Sequence, residues 1–525
     1  MGGGVNRPLL LLTAFPLGLV SALAFAPLGW WPLMPLAFAA LAFLIGRAGS
    51  LPKALLTGWL FGVGQFVLGL NWIATAFTYQ AAMPAWLGWV AVVLLSFYLA
   101  IYPALATGLA WRFGRRSRTA LVLALAAGWT LAEYLRATMF TGFAWNPVGV
   151  VLIDTSARGW AQLVGTYGLS ALVVLIGGLF LQLFVRPEPR QASPRVIGLV
   201  VAVSVGIVWL LPLSLVQNRA FGPRPAIRVV QPNIGQEDKW REGLEEEAFQ
   251  RLASLSRIPA GSPPTLLLWP EVAVPVAFQL EGPPPQRLTT PLPPARRAGG
   301  LLRPGSDLLV TGAFALVVDR NARLVGSTNS VMPISASGQI AGRYDKAHLV
   351  PYGEYLPMRP LLSAIGLSQL APGEGDTLEG PGPRNLSLPG WGSMGVQVCY
   401  EIIFSGQVVD PRHRPDFLFN PSNDAWFGRW GPPQHLAQAR LRAAEEGLPI
   451  IRSTPTGISA VIGADGRLLH SLPWRTAGAI DADLPAPRPP TFFSRHGNAI
   501  PLTLALLLLI LAVGIDARAR YRRHI

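Results

Sequence analysis

Three residues of different chemical type have side chains that could take part in nucleophilic catalysis, and each follows an apolar run typical of a buried strand. Glu271 lies in WPEVAVP, Lys346 in GRYDKAHLVPYGEYLP and Cys399 in VQVCYEIIF. Strand ends are where α/β proteins usually place ligand sites. A thiolate is a nucleophile, a carboxylate can remove the thiol proton, and an ammonium can stabilise an oxyanion. These residue types predict a nucleophile at Cys399, with Glu271 as its base and Lys346 as the oxyanion donor.

Taken singly, each of the three residues has an ordinary explanation. A lone cysteine on an apolar strand is more often inert core. Glu271 alone reads equally well as a solvated loop residue, and Lys346 beside Asp345 as a surface charge. The chain has one cysteine, which excludes an intramolecular disulfide and a multi-cysteine metal site. Its six histidines include no pair at the spacing of a helical zinc site, so we expect no metal and no cofactor.

The segment from about 220 to 490 has the pattern of an α/β domain. Short apolar runs bounded by Pro, Gly and Asn indicate strands, and residues 435–447 predict a helix with Gly447 as its C-cap. A strand, PIIRSTP, follows the helix, and Asp465-Gly466 predicts the turn of a hairpin. Alternating buried strands and helices predict a sheet with covered faces.

The composition predicts that much of the rest lies in lipid. Hydrophobic residues make up 51% of the 525 residues and charged residues only 14%, whereas about 25% charged is usual for a soluble protein. A span needs about 20 apolar residues. Seven such runs precede residue 220 and one follows the α/β segment. Their approximate limits are 8–25, 27–46, 52–76, 86–111, 119–138, 160–185, 196–216 and 498–515.

The distribution of basic residues predicts the orientation of these spans. Lys and Arg accumulate in short cytoplasmic loops. With the N-terminus inside, the outer short loops hold only Arg136 and Arg158. The inner segments hold Arg7, Arg47, Lys53, Arg112, Arg115, Arg116, Arg118, Arg186, Arg190, Arg195, Arg518, Arg520, Arg522 and Arg523. Membrane topology therefore accounts for most of the net charge of +15, no nucleic-acid partner is needed, and the α/β segment is expected outside the cytoplasm.

In this order, and with their flanking strings, Glu271, Lys346 and Cys399 resemble the Glu-Lys-Cys triad of the nitrilase (carbon-nitrogen hydrolase) superfamily over roughly residues 226–480. The apolar spans and the strings KAHLVPYGEYLP and NPSNDAWFG resemble the apolipoprotein N-acyltransferase family over essentially the whole chain. The resemblance implies a polytopic α-helical membrane domain of eight spans with an extramembrane α/β nitrilase-like αββα sandwich. We expect seven spans in 1–219, the periplasmic catalytic domain in 220–490, and the eighth span with a basic cytoplasmic tail in 491–525.

The same resemblance implies the reaction and its location. A fatty acyl chain would pass from a membrane phospholipid, through a thioester on Cys399, to the N-terminal α-amine of the diacylglyceryl-cysteine of a bacterial apolipoprotein. This is the last step of lipoprotein maturation. It implies an inner-membrane enzyme with both termini in the cytoplasm, and the bilayer, the phospholipid and the diacylated apolipoprotein as its partners.

Further site residues are implied by resemblance alone. Glu354 matches an acidic residue of the family's active-site loop, and Tyr400 and Glu401 follow the nucleophile as in the family pattern. Trp240, in EDKWREG, matches an aromatic residue on a loop thought to respond to substrate. The alternatives are an ordinary salt bridge or cap for the two carboxylates, and interfacial anchoring for the tryptophan.

Two charged residues stand near the outer end of a predicted span. Glu133 and Arg136 lie three residues apart in WTLAEYLRATMFTGFAW, and the family carries a similar string. Charges near lipid are costly and often functional, so we expect them to support substrate binding. The alternative is a mutual pair that anchors the span. Gly58, Gly62 and Gly64 in GWLFGVG are expected to permit close approach between helices.

The sequence departs from the family pattern at two positions. Val272 follows the predicted base where Ser or Thr is expected, and Pro455 replaces an expected Asn. Neither belongs to the triad, but both put the hydrogen bonding around the site in doubt.

Two other functions compete with acyl transfer. In a membrane-tethered amidase or nitrilase, water would replace the amine and the same three residues would hydrolyse an amide or ester. A transporter with an inert outer domain would need polar groups or broken helices at mid-membrane, and the spans are nearly free of them.

Overall fold

The computed structural model describes residues 12–79, 84–184, 206, 225–239, 243–282, 289–364 and 377–522. It contains two compact units. The first comprises Met1–Ala74, Trp86–Val216 and Pro490–Ile525, and the second comprises Thr75–Ala85 and Gln217–Pro489. Residues 75 and 76, at the end of the third predicted span, thus group with the α/β unit.

The first unit is built from apolar helices. Its α-helices are α1 (Ala14–Ala22), α2 (Leu33–Arg47), α3 (Leu51–Gly69), α4 (Ile73–Ala76, which runs into the second unit), α5 (Leu87–Leu99), α6 (Ile101–Gly114), α7 (Arg118–Thr138) and α8 (Ala161–Phe184). After the second unit come α14 (Phe492–His496) and α15 (Ala499–Tyr521). Short 3-10 helices cover Phe77–Tyr79, Val148–Leu152 and Ser156–Trp160.

Five helical stretches among the described residues are long and apolar enough to cross a membrane. They are Leu51–Gly69, Leu87–Gly114, Arg118–Thr138, Ser156–Leu183 and Ala499–Tyr521. The apolar helix Leu33–Arg47 is shorter, and the predicted span 196–216 lies outside the described residues. The span expected at 86–111 consists of α5 and α6. Pro103, in the first turn of α6, has no N–H to donate to the carbonyl of Leu99, where α5 ends.

Glycines allow the helices of the first unit to approach closely, as expected for Gly58, Gly62 and Gly64. A Cβ built on Gly64 of α3 would lie 2.2 Å from the carbonyl oxygen of Phe15 in α1. A Cβ on Gly58 would lie 2.1 Å from Oγ1 of Thr107 in α6. Close contact of this kind between helices supplies dispersion attraction, which matters most where lipid removes the hydrophobic driving force between helices.

The second unit contains two mixed β-sheets. Its strands are β1 (Ala226–Gln231), β2 (Thr265–Leu268), β3 (Ala277–Glu281), β4 (Thr289–Pro291), β5 (Leu308–Val318), β6 (Leu324–Ile334), β7 (Tyr344–Asp345), β8 (Asn385–Leu388), β9 (Gly392–Val396), β10 (Phe417–Pro421), β11 (Ile450–Ser453), β12 (Ala460–Ile462), β13 (Leu468–Ser471) and β14 (Gly478–Asp483). The larger sheet has the order β14-β1-β2-β5-β3-β4, with β6 beside β5 and β7 beside β6. The smaller sheet has the order β13-β12-β11-β10-β9-β8.

The helices of the second unit are short apart from one. They are α9 (Gln236–Lys239), α10 (Glu245–Leu255), α11 (Pro293–Gly299), α12 (Arg359–Ala364) and α13 (Gly431–Glu446), with 3-10 helices at Cys399–Ile403 and Asp424–Phe427. Three glutamates occupy the first turn of α10, where negative charge is favourable to the helix dipole.

Two apolar clusters make this unit a layered sandwich. One cluster joins side chains of β1 and β2 to side chains of β9 and β10, so it fills the space between the sheets. The other covers the opposite face of the larger sheet and includes Phe249 and Leu252 of α10 and Ala295 of α11. Helix α13 packs against the smaller sheet at β11. The layers therefore have the order helix, sheet, sheet, helix. This order suits strands that bury alternate side chains on opposite faces and helices that bury one face.

Local predictions from the sequence hold for the helix and the hairpin. Helix α13 ends at Glu446, and Gly447 adopts the left-handed conformation of a C-cap, with φ 66°. The helix begins four residues earlier than position 435 because Pro432 is tolerated in a first turn. Strands β12 and β13 pair antiparallel around Gly466. The prediction that Cys399 follows a buried strand is also confirmed: strand β9 ends at Val396, and Cys399 begins a 3-10 helix.

Candidate active site

Cys399 lies at a sharp turn between β9 and its 3-10 helix. Its backbone has φ 49°, in the left-handed region that non-glycine residues seldom adopt. Such conformations cost of order 1–3 kcal/mol and concentrate at functional sites. The side chain is buried, with 6% of the residue exposed. The apolar residues of β9 carry the chain into the sandwich, and the turn then directs the following residues away from the strand.

Lys346 follows β7 and lies between two carboxylates. Its Nζ is 2.9 Å from Glu354 Oε2 and 3.6 Å from Glu271 Oε1, and its side chain is almost fully buried. Its main-chain N–H donates to Asn329 O at 2.8 Å, which fixes the start of the loop. Burial works to lower the pKa of Lys346, but the charges of Glu354 and Glu271 outweigh it and raise the pKa above its ordinary value. The residue is therefore an ammonium at neutral pH.

Glu271 lies in the loop after β2, held against β5. Gly312 of β5 leaves room for this loop, since a Cβ there would lie 2.6 Å from Glu271 Cα. Glu271 Oε1 accepts a hydrogen bond from Asn329 Nδ2 at 2.7 Å. Its other oxygen, Oε2, is buried and has no hydrogen-bond partner among the described residues. A buried carboxylate oxygen without a donor is rare, and one beside a thiol is suited to accept a proton.

The electrostatic surroundings of Cys399 keep its sulfur protonated at rest. Burial raises the pKa of the Cys399 thiol well above its ordinary value, and the charge of Glu271 raises it further. The ammonium of Lys346 and the main-chain N–H of Asn423 act in the opposite direction. Since burial prevails, Cys399 is a thiol at neutral pH, and a thiol acts as a nucleophile only when a base takes its proton.

Glu354 completes a compact group of four side chains. Its Oε1 accepts from Lys346 Nζ at 2.9 Å and from Asn329 Nδ2 at 3.2 Å, and its Oε2 accepts from the Val350 N–H at 2.9 Å. Glu354 and Glu271 thus share the same ammonium and the same amide. Glu354 therefore belongs to the buried group around Lys346 and is not an isolated surface salt bridge.

Glu401 joins the loop of Lys346 to the turn of Cys399. Its Oε1 accepts from the Tyr344 hydroxyl at 2.8 Å and from the main-chain N–H groups of Ala347 and His348 at 2.8 and 3.1 Å. Its Oε2 accepts from the Val398 N–H at 2.6 Å. One buried carboxylate therefore fixes both loops.

Tyr400, beside Glu401, is also buried. Its ring contacts Phe404 edge-on, with 5.3 Å between the ring centroids, and lies 5.7 Å from His348. Tyr400 and Glu401, which follow Cys399, thus support the turn through aromatic and polar contacts.

A second buried group of charges lies next to the main chain of Cys399. His435 of α13 has Nε2 3.0 Å from the Cys399 carbonyl oxygen and Nδ1 2.9 Å from Asp424 Oδ1. Arg452 Nη2 is 2.6 Å from Asp424 Oδ2. Burial raises the pKa of Asp424, but the charges of Arg452 and His435 outweigh it and hold the pKa below its ordinary value. Burial and the charge of Arg452 lower the pKa of His435, whereas the charge of Asp424 and the Cys399 carbonyl oxygen act to raise it.

Sequence reasoning missed two groups of site residues. Asn329, which bonds both carboxylates, lies in the apolar strand β6, and an amide inside a buried run was the available signal. His435 and Arg452 were read only as parts of a helix and a strand. Asp424 was present in the string NPSNDAWFG, without a role.

The remaining predicted residues lie elsewhere or outside the described residues. Trp240 belongs to the residues that the structure does not describe. Glu133 and Arg136 lie in the first unit, and both are buried. Glu133 Oε1 accepts from the Val148 N–H at 2.7 Å and from Trp129 Nε1 at 3.0 Å, while Arg136 Nη1 donates to Trp145 O at 2.8 Å. These bonds fix the turn after α7.

The two departures from the family pattern have different consequences. Val272, after Glu271, has φ 42°, which is unfavourable for a β-branched residue. The Pro455 carbonyl accepts a hydrogen bond from the Asn233 N–H at 2.8 Å, so the backbone there bonds without an asparagine side chain. Among the described residues, no group of three or more His, Cys, Asp or Glu side chains is placed to hold a metal ion.

The site is a buried cysteine at a strained turn of a two-sheet sandwich, with a carboxylate and an ammonium acting on it. Residues 226–488 match the family model described as Carbon-nitrogen hydrolase, and residues 17–179 match Apolipoprotein N-acyltransferase N-terminal domain. Among solved structures, Nit3 of Saccharomyces cerevisiae, a member of the nitrilase superfamily, is 19% identical and covers 53% of this chain and 95% of its own, with a TM-score of 0.34.

Two curated relatives extend over nearly the whole chain. The apolipoprotein N-acyltransferase of Bradyrhizobium diazoefficiens is 36% identical, and the alignment covers 97% of this chain and 95% of the relative. The protein of the same name from Rhodopseudomonas palustris is 34% identical with the same coverage. The chain belongs to the apolipoprotein N-acyltransferase family.

Proposed function

We propose that this enzyme transfers a fatty acyl chain from a membrane phospholipid to the N-terminal α-amine of a diacylglyceryl-cysteine apolipoprotein, by way of a thioester on Cys399. The family and the curated relatives support the acyltransferase activity. The observation that carries the mechanism concerns Glu271. Its oxygen Oε2 is buried and has no hydrogen-bond partner among the described residues, and the charge of Glu271 acts on the Cys399 thiol.

In the first half of the reaction, Glu271 takes the proton of the Cys399 thiol while the sulfur attacks the ester carbonyl of the phospholipid. The new C–S bond leaves a negative charge on the carbonyl oxygen, and Lys346 stabilises it as an ammonium. The oxyanion then collapses and the bond to the glycerol oxygen breaks. That oxygen takes the proton from Glu271, the lysophospholipid leaves, and the acyl chain remains on Cys399 as a thioester.

In the second half, the α-amine of the apolipoprotein attacks the thioester carbonyl. Glu271 removes a proton from the attacking nitrogen, Lys346 again faces the oxyanion, and the C–S bond breaks as the amide forms. The sulfur recovers its proton from Glu271. An amide is more stable than a thioester, so the transfer needs no ATP. Glu354 and Glu401 keep the ammonium and the sulfur in place through both halves.

The domain layout and the orientation complete the proposal. We infer eight spans, seven within 1–219 and one within 491–525, with the catalytic domain 220–490 in the periplasm and both termini in the cytoplasm. The five long apolar helices and the basic residues of the inner loops support this arrangement. A catalytic domain next to the bilayer would meet both lipid substrates at the membrane surface. Trp240, Tyr400, Glu133 and Arg136 are proposed to support substrate binding.

The experiment that tests the function compares transfer with hydrolysis. The purified full-length enzyme is incubated with phosphatidylethanolamine and a synthetic diacylated lipopeptide, and the products are weighed by mass spectrometry. Transfer predicts a triacylated peptide together with an equal amount of lysophospholipid. Free fatty acid without triacylated peptide would instead establish the amidase-like alternative, in which water takes the place of the amine.

A further inference from the structure

A second buried lysine lies beside the candidate active site and has no role in the reaction described above. Lys239 is the last residue of α9, and only 6% of it is exposed. Its Nζ donates to the main-chain carbonyl oxygen of Glu271 at 3.1 Å. An ammonium has three donors, and no second hydrogen bond of this one is found among the described residues. Burying a charge is costly, so a position of this kind needs a compensating interaction.

The charges that act on Lys239 belong to the catalytic residues. The negative charges of Glu271 and of the Cys399 sulfur both favour its ammonium form. The ammonium of Lys239 thus interacts electrostatically with the proton donor and the proton acceptor of the first half-reaction. The mechanism above uses a positive charge only at Lys346, which lies on the separate loop after β7. Two ammonium groups from different elements therefore act on the same carboxylate and sulfur.

Helix α9 is held at both ends by residues of the site. At its start, Gln236 Oε1 accepts from Asn423 Nδ2 at 2.9 Å, and the main chain of Asn423 acts to lower the pKa of the Cys399 thiol. At its end, Lys239 holds the carbonyl of Glu271. One short helix thereby links the loop that supports the sulfur to the loop that carries the base. Its exposed residues, Glu237 and Asp238, take no part in either contact.

The hydrogen bond from Lys239 to the Glu271 carbonyl also affects the strained backbone at Val272. Val272, directly after Glu271, has φ 42°. A β-branched residue in this region is unfavourable unless its neighbours are fixed. The Glu271 carbonyl belongs to the peptide unit that joins these two residues, so a charged donor on it opposes rotation of that unit. The hydrogen bond therefore helps to fix the backbone next to the Glu271 side chain.

We propose that Lys239 is a positioning residue of the catalytic centre, which fixes the backbone of Glu271 and adds a second positive charge toward the Cys399 sulfur. The inference rests on the proposed function, because it concerns the same base and nucleophile. Lys239 touches no reacting atom in this account and acts through Glu271. Its loss should slow formation of the acyl-enzyme while leaving Cys399, Lys346 and Glu354 unchanged.

The state of charge of Lys239 gives the test a second readout. Burial lowers the pKa of Lys239 to about 8, although Glu271 and Cys399 act to raise it. Lys346, with its pKa raised, and Asp424, with its pKa lowered, keep their charges through this range. The acylation rate of the native enzyme should therefore fall above about pH 8 as Lys239 loses its proton.

The experiment measures acyl-enzyme formation in a single turnover with phosphatidylethanolamine in detergent micelles, by intact mass, from about pH 6 to 10. Lys239→Met keeps the length of the side chain without charge or donors and should acylate roughly 10- to 100-fold more slowly, with no fall near pH 8. Lys239→Arg keeps a permanent charge, so it should retain more activity than Lys239→Met and also lose the alkaline fall. Asp238→Asn, an exposed change on the same helix, is the control and should match the native enzyme.

The outcomes separate this inference from the proposed function. If the native enzyme forms no acyl adduct, the proposed function fails and Lys239 is not the cause. If the native enzyme acylates and Lys239→Met stays within about twofold of it, the inference is overturned. Should Lys239→Met fold poorly in a thermal melt, Lys239→Arg decides the question, since an unchanged alkaline fall in that variant also overturns the inference.

Discussion

In the helical unit, hydroxyl groups bond to carbonyls one turn away or on the adjacent helix: Ser96 Oγ donates to Val92 O at 2.7 Å, and Thr107 Oγ1 donates to Ala54 O at 2.9 Å. In the α/β unit, buried charged side chains bond to one another. Lys346 lies 2.9 Å from Glu354, and Arg452 lies 2.6 Å from Asp424. The first pattern satisfies side-chain hydroxyls with main-chain carbonyls, whereas the second satisfies charged side chains with one another.

The difference follows from what each unit has to do. Helices in lipid gain little from burying apolar side chains against one another, so they depend on close approach at glycines. The α/β unit has an apolar core that can bear the cost of buried charges, and it concentrates them where its strands end. Substitutions of charged residues in the α/β unit should therefore affect chemistry most, and substitutions of glycines in the helical unit should affect folding most.

The largest effect is expected at the sulfur. Cys399→Ala should form no acyl adduct with phospholipid, whereas the native enzyme should gain one acyl chain that hydroxylamine releases. The variant should melt near the temperature of the native protein, because an alanine fills most of a small buried site. Intact-mass measurement and a thermal melt check both statements. An acyl chain on Cys399→Ala would mean that another residue is the nucleophile.

Removing the ammonium of Lys346 should have the next largest effect. Lys346→Met should lower the acylation rate roughly 100- to 1000-fold, as expected for loss of one oxyanion donor. It also leaves the carboxylates of Glu271 and Glu354 buried without their shared partner, so the free energy of unfolding should fall by about 3–5 kcal/mol. Single-turnover acylation and denaturant unfolding measure the two losses.

Lys53→Met is the matched control for Lys346→Met, because Lys53 is an exposed lysine of the helical unit. It should change neither quantity. An equal loss of acylation in the two lysine variants would show that overall charge, rather than the position of the ammonium, sets the rate.

The two units also differ in how far the sequence predicted them. Glu271, Lys346 and Cys399 were identifiable because each has a chemically distinct side chain after an apolar strand, and flanking strings supported them. The helix ending at Gly447 was identifiable because its C-cap needs a left-handed residue. In the helical unit, the run at 86–111 gave no sign of a break except Pro103, since apolar residues suit one helix as well as two.

What the sequence did not reveal depends on pairing between distant segments. Asn329 matters because β6 lies beside β5 and β7, which places its amide between Glu271 and Glu354. His435 matters because α13 packs under the turn of Cys399. Neither contact can be read from local spacing, since no periodicity records which strand lies beside which. The hydrogen-bond partners of a buried polar residue were therefore the main gap.

A smaller effect concerns a buried carboxylate of the α/β unit that lies away from the reaction. Burial and the charge of Glu445 raise the pKa of Glu446 to about 7. A folded-state pKa above the unfolded value near 4.3 means that folding favours the protonated form. The stability that Glu446 contributes is present at acidic pH and is lost as the pH rises through about 7.

Glu446→Gln should remove this pH dependence. Between about pH 5 and 8 the native α/β unit should lose roughly 2 kcal/mol from this group, and the variant should not. Glu247→Gln, which changes an exposed carboxylate paired with Arg251, is the control and should retain the native slope. Denaturant unfolding at both pH values measures the difference. Parallel slopes for the native protein and Glu446→Gln would mean that Glu446 is ionised throughout.

The smallest effect is expected from substitution of a glycine in the helical unit. Gly64→Ala places a methyl group 2.2 Å from the carbonyl oxygen of Phe15, so α1 and α3 must move apart. Overpacking of this kind costs about 1–3 kcal/mol. Gly69→Ala, in the same helix, meets nothing within 4 Å and should be neutral or slightly stabilising.

Both glycine variants should keep the single-turnover acylation rate of the native enzyme at low temperature, because neither touches the charged groups around Cys399. The readout is the midpoint of thermal unfolding in detergent, which should fall for Gly64→Ala and not for Gly69→Ala. An equal fall in both would mean that glycine contributes through helix flexibility rather than close approach. If fully folded Gly64→Ala acylates more slowly than the native enzyme, the spacing of helices in the helical unit also affects the chemistry at Cys399. The two units would then not divide folding and chemistry between them.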